Sequence, residues 1–337
     1  MQTDMKSLLL LLTGINLLTA VSAQTNDSTY AERLGFPKNA KVVIVHVDDV
    51  GMSFDSNEGA ITAMTKGIAT SCSVMMPCPW VPGYVHYIKQ HPNTDAGLHL
   101  TLTSEWDDYR WPPLSGKPKV PGLVDKEGAM WPEVEDVVKH GSADEVETEV
   151  RAQIERAKEI GFAPTHMDSH MGTLFGSGEF LQRYVKLAIE YHIPVMFPAG
   201  HAALISKLQG FSDAQMQGIR AMGKQLWDAG LPVLDDIYNE SYGWKLPEGT
   251  PETDASLQKF KTQKYKEAFK AMKPGLTYLI MHCTQPSEIF KHISGSSQTR
   301  KGDLLAMIDP ELKKFVEKEG IILVTWKELS ERRAKMK

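Results

Sequence analysis

The chain has 337 residues, 42% hydrophobic and 23% charged, with 37 basic against 42 acidic side chains for a net charge of -5. That is a globular composition with enough apolar residues for a sizeable core, and the length suits one large domain or two small ones. No basic block stands out, which argues against a nucleic-acid partner, and three cysteines exclude both a disulfide-stapled scaffold and a Cys-rich zinc site.

In chain order, the first element is "MKSLLLLLTGINLLTAVSAQ". A Lys precedes an apolar stretch, and Val21-Ser22-Ala23 puts small residues where a signal peptidase reads. The apolar run is too short for a membrane span and is broken by Thr13, Gly14 and Asn16. Residues 1–23 are therefore expected to be a signal peptide, with export to the periplasm or the outside and a mature chain from near Gln24. No Cys follows the cleavage point, so no lipid anchor is implied, and no other segment suits a membrane. Residues 24–40 read as a polar lead-in and residues 41–337 as a single domain.

Short apolar runs at 42–47, 69–76, 96–102, 164–168, 194–197, 232–235, 276–281 and 321–324 read as strands. Most do not alternate, as expected for parallel strands buried on both faces. Helical periodicity lies between them at 143–160, 178–191, 212–229, 253–272 and 310–319. The clearest helix has Ser142 as N-cap, Glu145 three residues on, and Gly161 as its stop. Roughly eight strand–helix units favour an α/β fold of the irregular (β/α) barrel type, with an open doubly wound sheet as the alternative. The stretch after the first strand, "DDVGMSFDSNEG", is acidic where an open sheet would bind phosphate. Cys72 and Cys78, near the second strand, either pair in an oxidising compartment or serve as small buried hydrophobes.

The connection at 103–141 is long for a barrel, and such loops are more often functional than not. Its Trp106, Trp111 and Trp131 either stack on sugar rings or form a local core that holds the loop down.

Chemistry in a barrel sits at the C-terminal ends of the strands. There the sequence offers Asp48 and Asp49, His99, then His166, Asp168 and His170, and finally His282. Asp oxygens and His nitrogens suit zinc and neighbouring divalent ions, and three protein ligands leave positions open for water and substrate. Adjacent strand side chains point to opposite faces, so only a turn brings both aspartates into one site. A natural division gives one carboxylate to the ion and the other to a water as general base, with Gly51 allowing the turn. In an extended strand, His166 and His170 lie about 13 Å apart, and on a helical turn about 6 Å. Spacing alone does not choose between them. Asp168 either orients a ligand His or serves as a turn residue beside Ser169.

Taken together, Asp48-Asp49-Val50-Gly51, then Asn57 with Ala60 and Ile61, "IATSCSVMMPCP", "GLHLTLT", "THMDSH" and His282 ahead of Pro286 resemble the YdjC-like carbohydrate deacetylases of the chitooligosaccharide and hopanoid type. Order and spacing match from about Lys41 to Leu329. The resemblance implies an irregular (β/α) barrel hydrolase with one divalent ion, zinc or magnesium, acting on an acetylated carbohydrate. Carried over by position, it implies Asp49, His99 and His170 as ligands, Asp48 as base and His282 as acid. This chain departs from the pattern at Val50, at Met171-Gly172-Thr173-Leu174 and at "MHCTQPSE". Two other functions compete: a metal-dependent esterase or phosphoesterase, and a carbohydrate-binding protein with a decayed site. Oligomeric state is not legible.

Overall fold

The computed structural model describes residues 28–336. The expected signal peptide lies outside the described residues. Seven strands form one parallel sheet: β1 Lys41–Val50, β2 Ser71–Val74, β3 Ala96–Leu100, β4 Met167–Ser169, β5 Asp236–Tyr238, β6 Gly275–Met281 and β7 Ile322–Leu323. Their order is β4-β3-β2-β1-β6-β5. Helices cover the outside, as parallel crossovers require.

The arc between β4 and β5 is closed by single bridges, Met167 to Val195 and Pro198 to Leu234. The expected strands at 194–197 and 232–235 are reduced to these contacts. Pro194, Pro198 and Pro232 lack the N–H that a continuous ladder needs. The last strand also departs from eight-fold order. β6 pairs directly with β1 along Lys41 to Val47, and β7 pairs with Val42 and Val43 of β1. The outcome is a curled, irregular barrel.

β1 is the axis of the core. Every residue from Val42 to Val50 is buried, which is why its sequence does not alternate. The helix Ala143–Glu159 starts at a Ser142/Glu145 capping box, as its sequence indicates. The helices Gly178–Tyr191, Asp213–Asp228, Asp254–Ala271 and Pro310–Lys318 also match the expected periodicity.

One expectation is corrected here, and one open alternative is decided. From Tyr30 onward the lead-in belongs to the fold: Tyr30, Ala31, Leu34 and Phe36 are buried, and the Tyr30 and Ala31 N–H groups donate to the Asp235 carboxylate at 2.8 and 3.0 Å. Cys72 and Cys78 are free, buried thiols, so the small-hydrophobe reading describes them.

Candidate metal centre

The site begins with a backbone irregularity. Between Val47 and Val50, β1 advances three residues while β2 advances two, so β1 carries one extra residue. Asp49 absorbs the bulge in the left-handed region, at φ 63°. Asp is among the few side chains that tolerate this conformation. The bulge turns both carboxylates toward the same cleft, which a regular strand would not allow. Gly51 follows at φ 86°, and a Cβ there would lie 2.7 Å from Val81 Cγ2.

Three ligand atoms converge. Asp49 Oδ1 lies 3.2 Å from His99 Nε2 and 3.3 Å from His170 Nδ1, and the two imidazole nitrogens are 3.2 Å apart. All three residues are buried. A tetrahedral ion about 2.0–2.1 Å from each ligand requires edges of about 3.3 Å, so the spacing fits. Asp49 Oδ1 is also buried without a hydrogen bond, as an oxygen reserved for an ion would be. The residues present therefore fit a divalent cation.

Each ligand is held from behind. His99 Nδ1 is 2.6 Å from Asp168 Oδ1, leaving Nε2 toward Asp49. Asp168 Oδ2 accepts from the Tyr278 hydroxyl at 2.7 Å. His170 Nε2 is 3.0 Å from Glu105 Oε2, and Arg300 Nη2 is 2.7 Å from Asp49 Oδ2. Carboxylates behind ligand imidazoles fix their tautomer and raise their basicity. His170 follows β4 directly, and the backbone then kinks at Met171 (φ 51°) and Gly172 (φ 67°).

His166 does not join His170. It lies inside the barrel, stacked on Trp326 at 5.1 Å between ring centroids. A Cβ on Gly97 would sit 2.5 Å from its ring, so only glycine leaves room there.

Charge follows geometry. Burial pushes the Asp49 carboxyl up, but Arg300, His170 and His99 outweigh it and hold the group well below the usual carboxylate range. Burial would lower His170, yet Glu105 and Asp49 raise it to about 9. Burial likewise opposes His99, which Asp48 and Asp168 lift well above an ordinary imidazole. A cation bound here would compete with protons for these nitrogens.

Asp48 and His282 stand beside the triangle. Asp48 Oδ2 is 3.9 Å from both His99 Nε2 and His282 Nε2. The His282 backbone N–H donates to Asp303 Oδ2 at 3.2 Å, and Asp303 is anchored by buried Lys261 at 2.8 Å. Burial lowers the His282 pKa, with Arg300 acting in the same direction against Asp49 and Asp48.

These residues line a cleft of about 1900 Å³ or touch side chains that line it, His166 only from behind, through Asp168 at 4.0 Å. Trp106 lines the cleft; Trp111 and Trp131 do not. Trp111 is buried with Met52, Met75, Cys78, Met130 and Phe290, and its indole N–H donates to the Thr103 carbonyl at 3.1 Å. Trp131 donates to the Gly122 carbonyl at 2.8 Å and stacks on His140. For these two rings the local-core reading is the correct one. Sequence reasoning missed His46, Glu105, Tyr278 and Arg300. His46 was within reach, because it lies two residues before Asp48 in a strand and so shares its face.

A carbohydrate deacetylase from Thermus thermophilus is 30% identical over 285 residues, which is 85% of this chain and 92% of that protein. A chitooligosaccharide deacetylase from Yersinia enterocolitica is 31% identical over 135 residues, 39% of this chain and 49% of its own. Among solved structures, a protein from Enterococcus faecalis V583 named for cellobiose-phosphate cleavage shares the fold. Its TM-score is 0.68 at 20% identity, over 86% of this chain and 99% of that one. The family model described as YdjC-like protein matches residues 42–318, and the chain belongs to that family.

Proposed function

We propose that this protein is a metal-dependent hydrolase that removes acetyl groups from N-acetylated sugars or oligosaccharides. The observation that carries the reading is the Asp49–His99–His170 triangle beside a second carboxylate, Asp48, that is not part of it. The deacetylase names of the relatives support the sugar class. Two imidazoles and one carboxylate suit zinc, and magnesium also accepts the carboxylate.

An ion held there would polarise the acyl carbonyl and make water a better nucleophile. The chain's own residues do the rest. Asp48 Oδ2 faces the cleft and takes the proton of the attacking water. His282 Nε2, 3.9 Å from that oxygen, is placed to carry a proton to the departing nitrogen. Asp48 Oδ2 and Asp49 Oδ2 both lie 3.9 Å from His282 Nε2, and because Asp49 Oδ2 is paired with Arg300, Asp48 is the oxygen free to hand that proton on. Arg300 neutralises Asp49 and keeps its free oxygen aimed at the histidines. The C–N bond breaks, a C–O bond forms from water, and acetate leaves with a free amine.

The test is acetate release from a panel of N- and O-acetylated oligosaccharides, before and after chelation and with defined metal returned. Acetate that disappears on chelation and returns with metal supports the reading. Phosphate or alcohol release instead of acetate, or activity indifferent to chelation, overturns it. Export is part of the proposal and rests on the sequence of residues 1–23. Secreted protein beginning near Gln24 supports it, and cell-retained protein with Met1 intact overturns it.

A further inference from the structure

The two oxygens of Asp48 have different surroundings. Oδ2 faces His99 and His282 in the cleft, each at 3.9 Å. Oδ1 is buried without a well-aligned hydrogen bond, and the charge partner on that side is His46 Nε2 at 3.1 Å. The same nitrogen is 3.0 Å from Asp168 Oδ2 and shares a hydrogen bond with the Ser73 hydroxyl at 3.0 Å. One ring edge thus stands between two buried carboxylates that would otherwise repel. One of them is the proposed base, and the other holds His99.

The ring itself is fixed. It is fully buried, stacked on Tyr278 at 4.5 Å, with the His166 ring edge-on at 5.1 Å. His46 Nδ1 has no hydrogen-bond partner among the described residues, so the polar work of this side chain falls on Nε2. A polar ring this deep inside an apolar strand is costly unless its polar edge is used.

We infer that His46 is a positioning residue for the hydrolysis: its Nε2 edge holds Asp48 Oδ1 and Asp168 Oδ2 together, so that Asp48 Oδ2 stays aimed into the cleft. This inference rests on the proposed role of Asp48. Removing the edge frees the Asp48 carboxylate to rotate, whereas Asp168 is still held by the Tyr278 hydroxyl at 2.7 Å and keeps its 2.6 Å contact with His99 Nδ1, so Asp49, His99 and His170 remain in place.

The experiment compares His46→Leu, which keeps the volume without the N–H, with His46→Gln, whose side-chain amide nitrogen reaches nearly as far as Nε2. Four quantities are read: kcat, KM, metal per chain and a crystal structure. His46→Leu is expected to lower kcat about 10–100-fold, the loss typical of groups that orient a site's working residues. KM should stay within about 2-fold and metal content should be unchanged. His46→Gln should recover most of the loss, and the Asp48 carboxylate should be rotated in the Leu variant only. An unchanged kcat and an unmoved Asp48 in the Leu variant overturn the inference. So does an equal loss in both variants accompanied by loss of metal, which means a merely structural role. Absence of acetate release from wild-type protein counts against the proposed function instead, and the position of Asp48 in the two crystal structures still decides the role of His46.

Discussion

The two sides of this barrel are built to different standards. β1, β2 and β3 are buried and paired along their lengths, broken only by the one-residue bulge in β1, and they carry Asp48, Asp49 and His99. The opposite arc is held by single bridges at Val195, Pro198 and Leu234; its helices Ala203–Gln209 and Asp213–Asp228 bring Ile205, Leu208 and Ile219 to the cleft wall, and the turn between them brings Phe211. A reaction needs its groups held to about 0.5 Å, whereas an apolar wall needs only shape. The candidate ligands and proposed base sit on the paired strands, at a bulge that both flanking ladders hold, and the apolar wall sits where the strands are reduced to single bridges.

Substitutions on the strand side should break this division most strongly. Asp48→Asn should lower acetate release about 10²–10⁴-fold, the usual worth of a general base, while metal content measured by elemental analysis stays at wild type. Metal loss in that variant would reverse the roles of the two aspartates. Asp168→Asn should next weaken metal affinity about 10–100-fold by loosening His99, as read by competition with a fluorescent chelator. Gly97→Ala should cost about 1–3 kcal/mol in urea unfolding, because its methyl group meets the His166 ring and the core must shift.

The arc predicts something gentler. Phe211→Ala should raise KM several-fold with kcat within about 2-fold, the pattern of lost uniform binding. A fall in kcat equal to that of a strand-side variant would erase the distinction drawn here.

The smallest effect lies on the outer surface. Burial would raise the Glu147 pKa, but Lys186 and Arg151 bring it from 4.5 to about 2. A depressed carboxylate stabilises the fold above its unfolded pKa and loses that contribution as pH falls through the folded value. Glu147→Gln should therefore cost about 1 kcal/mol or less at pH 7. The gap in melting temperature should shrink below about pH 4.5 and vanish near pH 2.

The strand-borne residues were readable because each sits in a short local pattern: DD before a glycine, a His in an apolar strand, a DSH after one. Their mutual distances were not readable, since they depend on a one-residue bulge that no periodicity reports. Arg300 was invisible for another reason. It lies on the helix Ser297–Met307 and reaches Asp49 only through the tertiary fold. Glu105, beside the aromatic rings of the long loop, drew less attention than they did, yet it touches His170 while Trp111 and Trp131 serve the local core. The strands at 194–197 and 232–235 were over-read, because apolar content predicts burial but prolines decide whether a ladder forms.

The left-handed backbone at Asp49 restricts what can stand there. Asn and Gly fit that conformation readily, whereas Glu and the β-branched residues fit it less well. Retuning the centre by exchanging this carboxylate for a longer or softer ligand would meet resistance from the main chain itself. The same constraint makes Asp49→Asn a nearly silent change in shape. That variant should keep the cleft intact while weakening its grip on the ion, and would serve as a substrate trap for fishing the natural glycan out of a mixture.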